Sequence, residues 1–123
     1  MAILRGEVYF VQLGPVVGRE QKGRRPVVVV SRDSINALPL VVAIVPGTSG
    51  VNVPRDYPQN VRVPAGEANL PDETVFMTFQ IRALDHRRFV DPPLGTLGPS
   101  NLADLERALA WTLNLPYSPS TTP

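Results

Sequence analysis

Gly18-Arg19-Glu20-Gln21-Lys22-Gly23-Arg24-Arg25-Pro26 runs straight into Val27-Val28-Val29-Val30-Ser31. The second half is an unbroken β-branched run, the pattern of a strand covered on both faces. The first half is a charged loop hinged at Gly18 and Gly23, which can adopt backbone angles closed to other residues. Pro26 suits the first position of a strand, and the residue before a proline is driven out of the helical region, so Arg25 is expected to be held extended at the loop-to-strand junction. A guanidinium fixed in this way is charged at any physiological pH and offers a planar fork of donors to a phosphate or a phosphoryl-transfer transition state. Glu20 is the nearest carboxylate able to act as a base.

From Gly18 to Arg32 five basic residues stand against Glu20 alone, a local charge of +4 in a chain whose net charge is +1. Positive charge confined to one segment favours a polyanion site over general basicity. Composition alone leaves a second reading equally open, a hairpin connection whose charges keep it solvated.

The rest of the chain limits the chemistry available. It has 123 residues, no cysteine and one histidine, His86. Thiolate metal sites, cysteine nucleophiles, histidine-rich metal sites and paired-histidine catalysis are excluded. Any chemistry must use carboxylates, arginines and hydroxyls. No cofactor or metal is expected. The length fits one domain, no apolar run approaches a membrane span, and the N-terminus lacks a signal-peptide pattern, so a soluble cytoplasmic protein is expected, with no membrane partner.

Fourteen prolines and nine glycines cut the sequence into short pieces. Glu7 to Leu13 reads as the first strand, Val27 to Ser31 as the second, and Leu40 to Val45 as the third, stopping at Pro46-Gly47. Asn60 to Val63 forms a short strand after the loop from Val51 to Pro58. Thr74 to Leu84 is the longest extended segment, and Arg88 to Val90 a final short one. The period then changes: Ser100 is expected to cap a helix carrying Leu102, Leu105, Leu109 and Leu113 on one stripe and ending at Leu115-Pro116. Residues 116–123 read as a mobile tail rich in Pro, Ser and Thr. Strands followed by one helix predict a mainly β fold, a small, strongly bent antiparallel sheet or barrel with a C-terminal α-helix packed on it.

Three further groups are candidates. Pro46-Gly47-Thr48-Ser49 places two hydroxyls on an expected turn, where either could hold a phosphate oxygen or simply serve the turn. Gln80 and Arg82 are expected on one face of a strand, lining a groove or facing solvent. His86 is expected in an exposed turn without a catalytic role.

Taken together, these segments resemble the MazF/PemK family of toxin endoribonucleases, the mRNA interferases of type II toxin–antitoxin pairs. Arg5-Gly6-Glu7-Val8-Tyr9 resembles the family's opening strand, and Gly18 to Ser31 its Gly-x-Glu-Gln-x-Gly-x-Arg-Pro-hydrophobic run. Val45 to Ser49 resembles its Pro-x-Thr turn, Gln80 to Asp85 its Gln-Ile-Arg segment, and the leucine-striped helix its last element. The similarity covers roughly residues 4 to 115, a single toxin domain over 1–115.

The resemblance implies an SH3-like, CcdB/PemK-type β-barrel that forms a homodimer and cleaves single-stranded RNA at short sequences without a metal. It makes Arg25 the catalytic arginine, Thr48 the phosphate-positioning hydroxyl and Glu20 the base or an active-site carboxylate. Arg19, Gln21, Lys22, Arg24, Ser49, Gln80 and Arg82 would contact RNA. The implied reaction is attack of the RNA's own 2′-hydroxyl on the adjacent phosphate. A MazE-like antitoxin with a disordered, acidic C-terminal segment is the implied partner, and the local +4 gives its binding a motive. Phe79 stands where many members carry an acidic residue. Arg24 stands where some carry histidine, and its pKa is too high for a proton donor. The rival readings are a CcdB-like, non-enzymatic toxin that binds gyrase, and a catalytically silent binding module.

Overall fold

The computed structural model describes residues 2–118. Seven strands make one curled antiparallel sheet: β1 (Glu7–Leu13), β2 (Gly23–Val29), β3 (Val41–Ser49), β4 (Asn60–Val63), β5 (Thr74–Met77), β6 (Arg82–Asp85) and β7 (Gly95–Thr96). Its spatial order is β4-β5-β3-β2-β1-β7, with β6 also beside β3. A one-turn helix, α1 (Asp33–Asn36), follows β2, and a long one, α2 (Pro99–Leu113), closes the fold. This half-barrel with a C-terminal helix is the mainly β architecture expected from the sequence. Residues 119–123 of the expected mobile tail lie outside the described residues.

The valine run of β2 separates two cores, as its lack of alternation predicts. Val28 joins Val8, Val45, Val61, Val63, Phe76 and the α2 residues Leu105 and Ala108. Val27 and Val29 join Tyr9, Val11, Leu13, Val42, Ile44 and Leu84. On α2, Leu102 and Leu109 pack at the margin of the first core. Leu113, the last of the expected stripe, is instead about half exposed. Helices shift each residue by 100°, and Ala108 falls closer to the centre of the buried face.

Two prolines are placed inside strands, not at their ends. Val30 donates to the Ala43 carbonyl at 3.0 Å, while the Val29 carbonyl accepts from Gly6 at 2.8 Å. By alternation, even-numbered residues of β2 turn their backbone groups toward β3. Pro26, paired with Phe10, therefore directs its missing donor beyond Val27↔Pro46, the last β2–β3 pair, where no ladder bond is lost. Pro46 faces the opposite edge of β3. There β6 pairs as far as Ile44, and β5 begins at Gly47, so Pro46 occupies the seam between two neighbours. The expected stop at Pro46-Gly47 is thus a change of partner, and β3 continues through Thr48 and Ser49.

Three other expectations are corrected. The segment from Thr74 to Leu84 is broken by a 3-10 turn, Thr78–Gln80, so Gln80 and Arg82 do not share a strand. β5 and β6 pair with the same edge of β3 in registers three residues apart, the length of that turn. The Thr78 hydroxyl donates to the Gln59 carbonyl at 2.7 Å and meets the Thr112 hydroxyl at 2.6 Å, pinning the turn under α2. His86–Arg88 is a 3-10 turn, and the last strand lies at Gly95–Thr96. The cap of α2 is Gly98, with Pro99 as the first helical residue, not Ser100. Proline is pre-organised for that position and displaces the serine one residue into the helix.

Candidate active site

β2 begins at Gly23, so Arg24 and Arg25 lie within the strand, opposite Gln12 and Val11 of β1, and not at its junction with the loop. Gly23 has φ +81°, a conformation that side chains rarely adopt, and it turns the loop sharply into the strand. Arg25 donates from Nε to the Lys22 carbonyl at 2.9 Å. That bond fixes the side chain from within its own segment. It leaves both Nη groups, a two-pronged donor, without a hydrogen bond or ion pair among the described residues.

Arg24 has partners of its own. Its guanidinium lies 5.3 Å from the centre of the Phe10 ring and 3.4 Å from Asp91. A cleft of about 170 Å³ is lined by Phe10, Arg24, Arg25, Pro26, Ser49, Pro71, Asp72 and Thr74. Ser49 and Arg25 thus line one cleft. A larger hollow of about 410 Å³ lies between α2 and residues 56–62 and contains none of the anticipated residues. The smaller cleft is the candidate, because its chemistry is that of a phosphate site.

Thr48 reaches this region by a different route. The β2–β3 ladder ends at Val27↔Pro46, and Thr48 follows two residues later on β3, paired with Val75 of β5 and directly preceding Ser49 of the cleft lining. Thr48 retains only 6% of its surface, and its Oγ1 accepts from Asn52 Nδ2 at 3.0 Å. Glu20 lies exposed on the loop, where its carboxylate accepts from the Val17 N–H and closes a turn whose other bond is Glu20 N–H to the Val17 carbonyl at 3.2 Å.

The remaining residues form a frame around the loop. Gln80 accepts from the Gln21 N–H at 3.2 Å and donates to the Arg19 carbonyl at 3.3 Å, so the 3-10 turn clips the β1–β2 loop. Arg19 and Lys22 keep their side chains exposed. Arg82, opposite Ile44, has one buried Nη without a partner among the described residues. A buried donor left unpaired is costly, and a ligand or another chain would relieve it. His86 bonds through Nε2 to the Asn36 carbonyl at 2.7 Å, a contact that anchors α1.

Asn52, Phe10 and Thr74 are site residues that the sequence reading missed. Phe10 and Thr74 read as ordinary strand residues, and Asn52 sits in a loop with no local motif. Only the pairing of distant strands brings Phe10 and Thr74 to the cleft, whereas Asn52 reaches Thr48 from the turn that follows β3.

Comparison with known proteins agrees with the fold. Residues 4–113 match the family described as PemK-like, MazF-like toxins of type II toxin–antitoxin systems. The endoribonuclease MazF of Staphylococcus epidermidis is 34% identical over 113 residues, 92% of each chain. Among solved structures, MazF from Deinococcus radiodurans superposes with a TM-score of 0.79 at 27% identity, covering 94% of this chain and 99% of that one. A mycobacterial endoribonuclease, solved with its cognate antitoxin, gives a TM-score of 0.76 at 26% identity over 95% and 100% of the two chains. The gyrase-binding alternative finds no support in these matches. The chain belongs to the PemK-like, MazF-like toxins of type II toxin–antitoxin systems and is an endoribonuclease toxin of the MazF kind.

Proposed function

We propose that the chain cleaves single-stranded RNA at short sequences without a metal, using a nucleophile supplied by the substrate. The observation that carries this reading is the side chain of Arg25. It is oriented by the Lys22 carbonyl, leaves two Nη groups free among the described residues, and lines the same cleft as Ser49, the neighbour of Thr48.

In this reading the 2′-oxygen of one nucleotide attacks the adjacent phosphorus. Glu20 takes the 2′-hydroxyl proton through the carboxylate oxygen that Val17 does not occupy. The P–O5′ bond breaks and the 5′-oxygen is protonated from solvent, leaving a 2′,3′-cyclic phosphate and a free 5′-hydroxyl. Arg25 neutralises the charge that develops on the non-bridging oxygens, the contribution that preorganised donors make most strongly in a site shielded from water. Thr48 holds one of those oxygens in line. Arg19, Gln21, Lys22, Arg24, Ser49, Gln80 and Arg82 bind the strand on either side. Arg24, being a permanent cation, serves as a counter-charge and not as an acid.

Two partners follow. A second copy of the chain would give a homodimer, in which the orphaned Arg82 donor finds a partner. A MazE-like antitoxin with an acidic, disordered C-terminal segment would occupy the RNA cleft and neutralise the basic loop, as the mycobacterial relative's complex with its antitoxin suggests.

The direct test is to incubate the purified chain with a single-stranded RNA in EDTA and identify both new ends. Cyclic phosphate and 5′-hydroxyl ends are expected. Absence of cleavage in EDTA with cleavage restored by a divalent ion, or 5′-phosphate products, would contradict the reading.

A further inference from the structure

Among the described residues three threonines are buried: Thr48, Thr74 and Thr78. Thr78 donates its hydroxyl proton to the Gln59 carbonyl at 2.7 Å, and Thr74 donates to the Asp72 carbonyl at 3.0 Å. Thr48 differs. Its Oγ1 accepts from Asn52 Nδ2 at 3.0 Å, and among the described residues its proton meets no acceptor. A hydroxyl has one proton to give and two lone pairs, and buried hydroxyls ordinarily use the proton. The amide of Asn52 fills an accepting position and thereby turns the proton of Thr48 away from itself.

The placement of Asn52 is itself firmly built. It ends a 3-10 turn, Gly50–Asn52, directly after β3. The Gly50 N–H donates to the Glu73 carbonyl at 2.9 Å, and Val53 closes the turn onto Gly50 at 3.1 Å. Arg62 on β4 then bonds to the Gly50 and Val53 carbonyls and to Asp56 and Glu73. A solvent-exposed amide would otherwise sample many rotamers, and this clamp fixes its backbone at the distance that Thr48 requires.

We propose that Asn52 is a positioning residue for RNA cleavage: it commits Thr48 Oγ1 as an acceptor and so presents the Thr48 proton as a donor to a phosphate oxygen of the RNA. The proposal rests on the reading that Thr48 touches that phosphate. It assigns Asn52 no contact with the reacting atoms.

The test compares Asn52→Ala with Asn52→Asp, each alone and in a Thr48→Val background, by single-turnover cleavage with thermal stability measured alongside. Aspartate is an acceptor only, so it draws the Thr48 proton inward, whereas alanine leaves the hydroxyl free to rotate. The expected loss in the chemical rate is about 100-fold for Asn52→Asp, as for removal of one donor to a developing oxyanion, and about 5-fold for Asn52→Ala. With Thr48→Val already present, Asn52→Asp should cost no more than about 3-fold, the part due to its charge alone. A merely structural Asn52 would give the opposite order, with alanine at least as damaging as aspartate, and that order would overturn the proposal. Equal losses from Asn52→Asp with and without Thr48 would also overturn it, because the effect would then be charge. If Thr48→Val alone cleaves at the normal rate, the underlying reading of Thr48 fails. If Thr48→Val is slow while Asn52→Asp is normal, only the role of Asn52 fails.

Discussion

Gln80 accepts a hydrogen bond from the backbone N–H of Gln21, 59 residues earlier in the chain, at 3.2 Å, and its amide donates to the Arg19 carbonyl at 3.3 Å. The 3-10 turn that interrupts the β5–β6 segment is what carries Gln80 out of the sheet plane to reach the loop. One side chain therefore sets the conformation of the segment that leads into Arg25.

Gln80→Ala removes both contacts. We expect the Gln21 amide to exchange with solvent at least ten times faster, a loss of about 1–1.5 kcal/mol of local protection, because one neutral hydrogen bond contributes on that scale. Cleavage should slow while the midpoint of global unfolding moves little. Unchanged exchange at Gln21 would show that the loop is held by other means.

Arg62 gathers the loop after β3 onto β4, through Asp56 at 2.8 Å, Glu73 at 2.9 Å and the carbonyls of Gly50, Val53 and Arg55. Lysine cannot reproduce that fork. Arg62→Lys and Arg62→Ala should both loosen residues 51–58 and broaden the set of RNA sequences cut, read by mapping 5′ ends on a long RNA. A sharp, unaltered cleavage pattern in both variants would separate the loop from specificity.

Gly47 is confined by packing, not by its backbone angles. A Cβ there would lie 2.7 Å from Thr74 Cγ2 and 3.1 Å from the Phe76 ring. Gly47→Ala should destabilise the chain by about 1–3 kcal/mol, the usual cost of overpacking. Adding Thr74→Ser, which removes the nearer methyl, should recover part of it in denaturant unfolding. Equal stability of Gly47→Ala and the parent chain would contradict the packing described for the β3–β5 pair.

Tyr9 is fully buried and donates to Glu7 Oε1 at 2.9 Å. Burial first, and then the contact with Glu7, push its phenol well above the ordinary value. A raised value means that the folded state keeps a proton the unfolded chain would release. The associated stability is complete below about pH 10, the ordinary phenol value, and is lost as pH rises beyond it. In an alkaline absorbance titration the Tyr9 step should appear only as the chain unfolds, and Tyr9→Phe should abolish it.

The sequence discloses those parts of the fold whose signals are local. Glu7–Leu13 is bounded by its own β-branched and aromatic content, and Val27–Val29 announces by its lack of alternation that both faces are covered. It conceals what depends on partners. Pro46 reads as a stop because the loss of its N–H is harmless only at a seam between β5 and β6, which no local pattern displays. The turn at Thr78–Gln80 is hidden by the alternation of Val75, Met77 and Phe79, and Gly95–Thr96 is too short to carry a period. At the site, Arg25 is legible through its glycines and Pro26. Its neighbourhood is not, because Ser49 and Thr74 meet only through the register of β3 with β5.

The central claim is that Arg25 supplies the charge stabilisation for RNA cleavage, and single-turnover cleavage by Arg25→Ala and Arg25→Lys in EDTA tests it most directly. With far-ultraviolet dichroism and thermal midpoint unchanged, Arg25→Ala should lose at least about 1000-fold in rate, the scale expected for a key transition-state donor, and Arg25→Lys should recover only a small part because an ammonium lacks the fork. Cleavage by a folded Arg25→Ala chain at the parent rate would contradict the account.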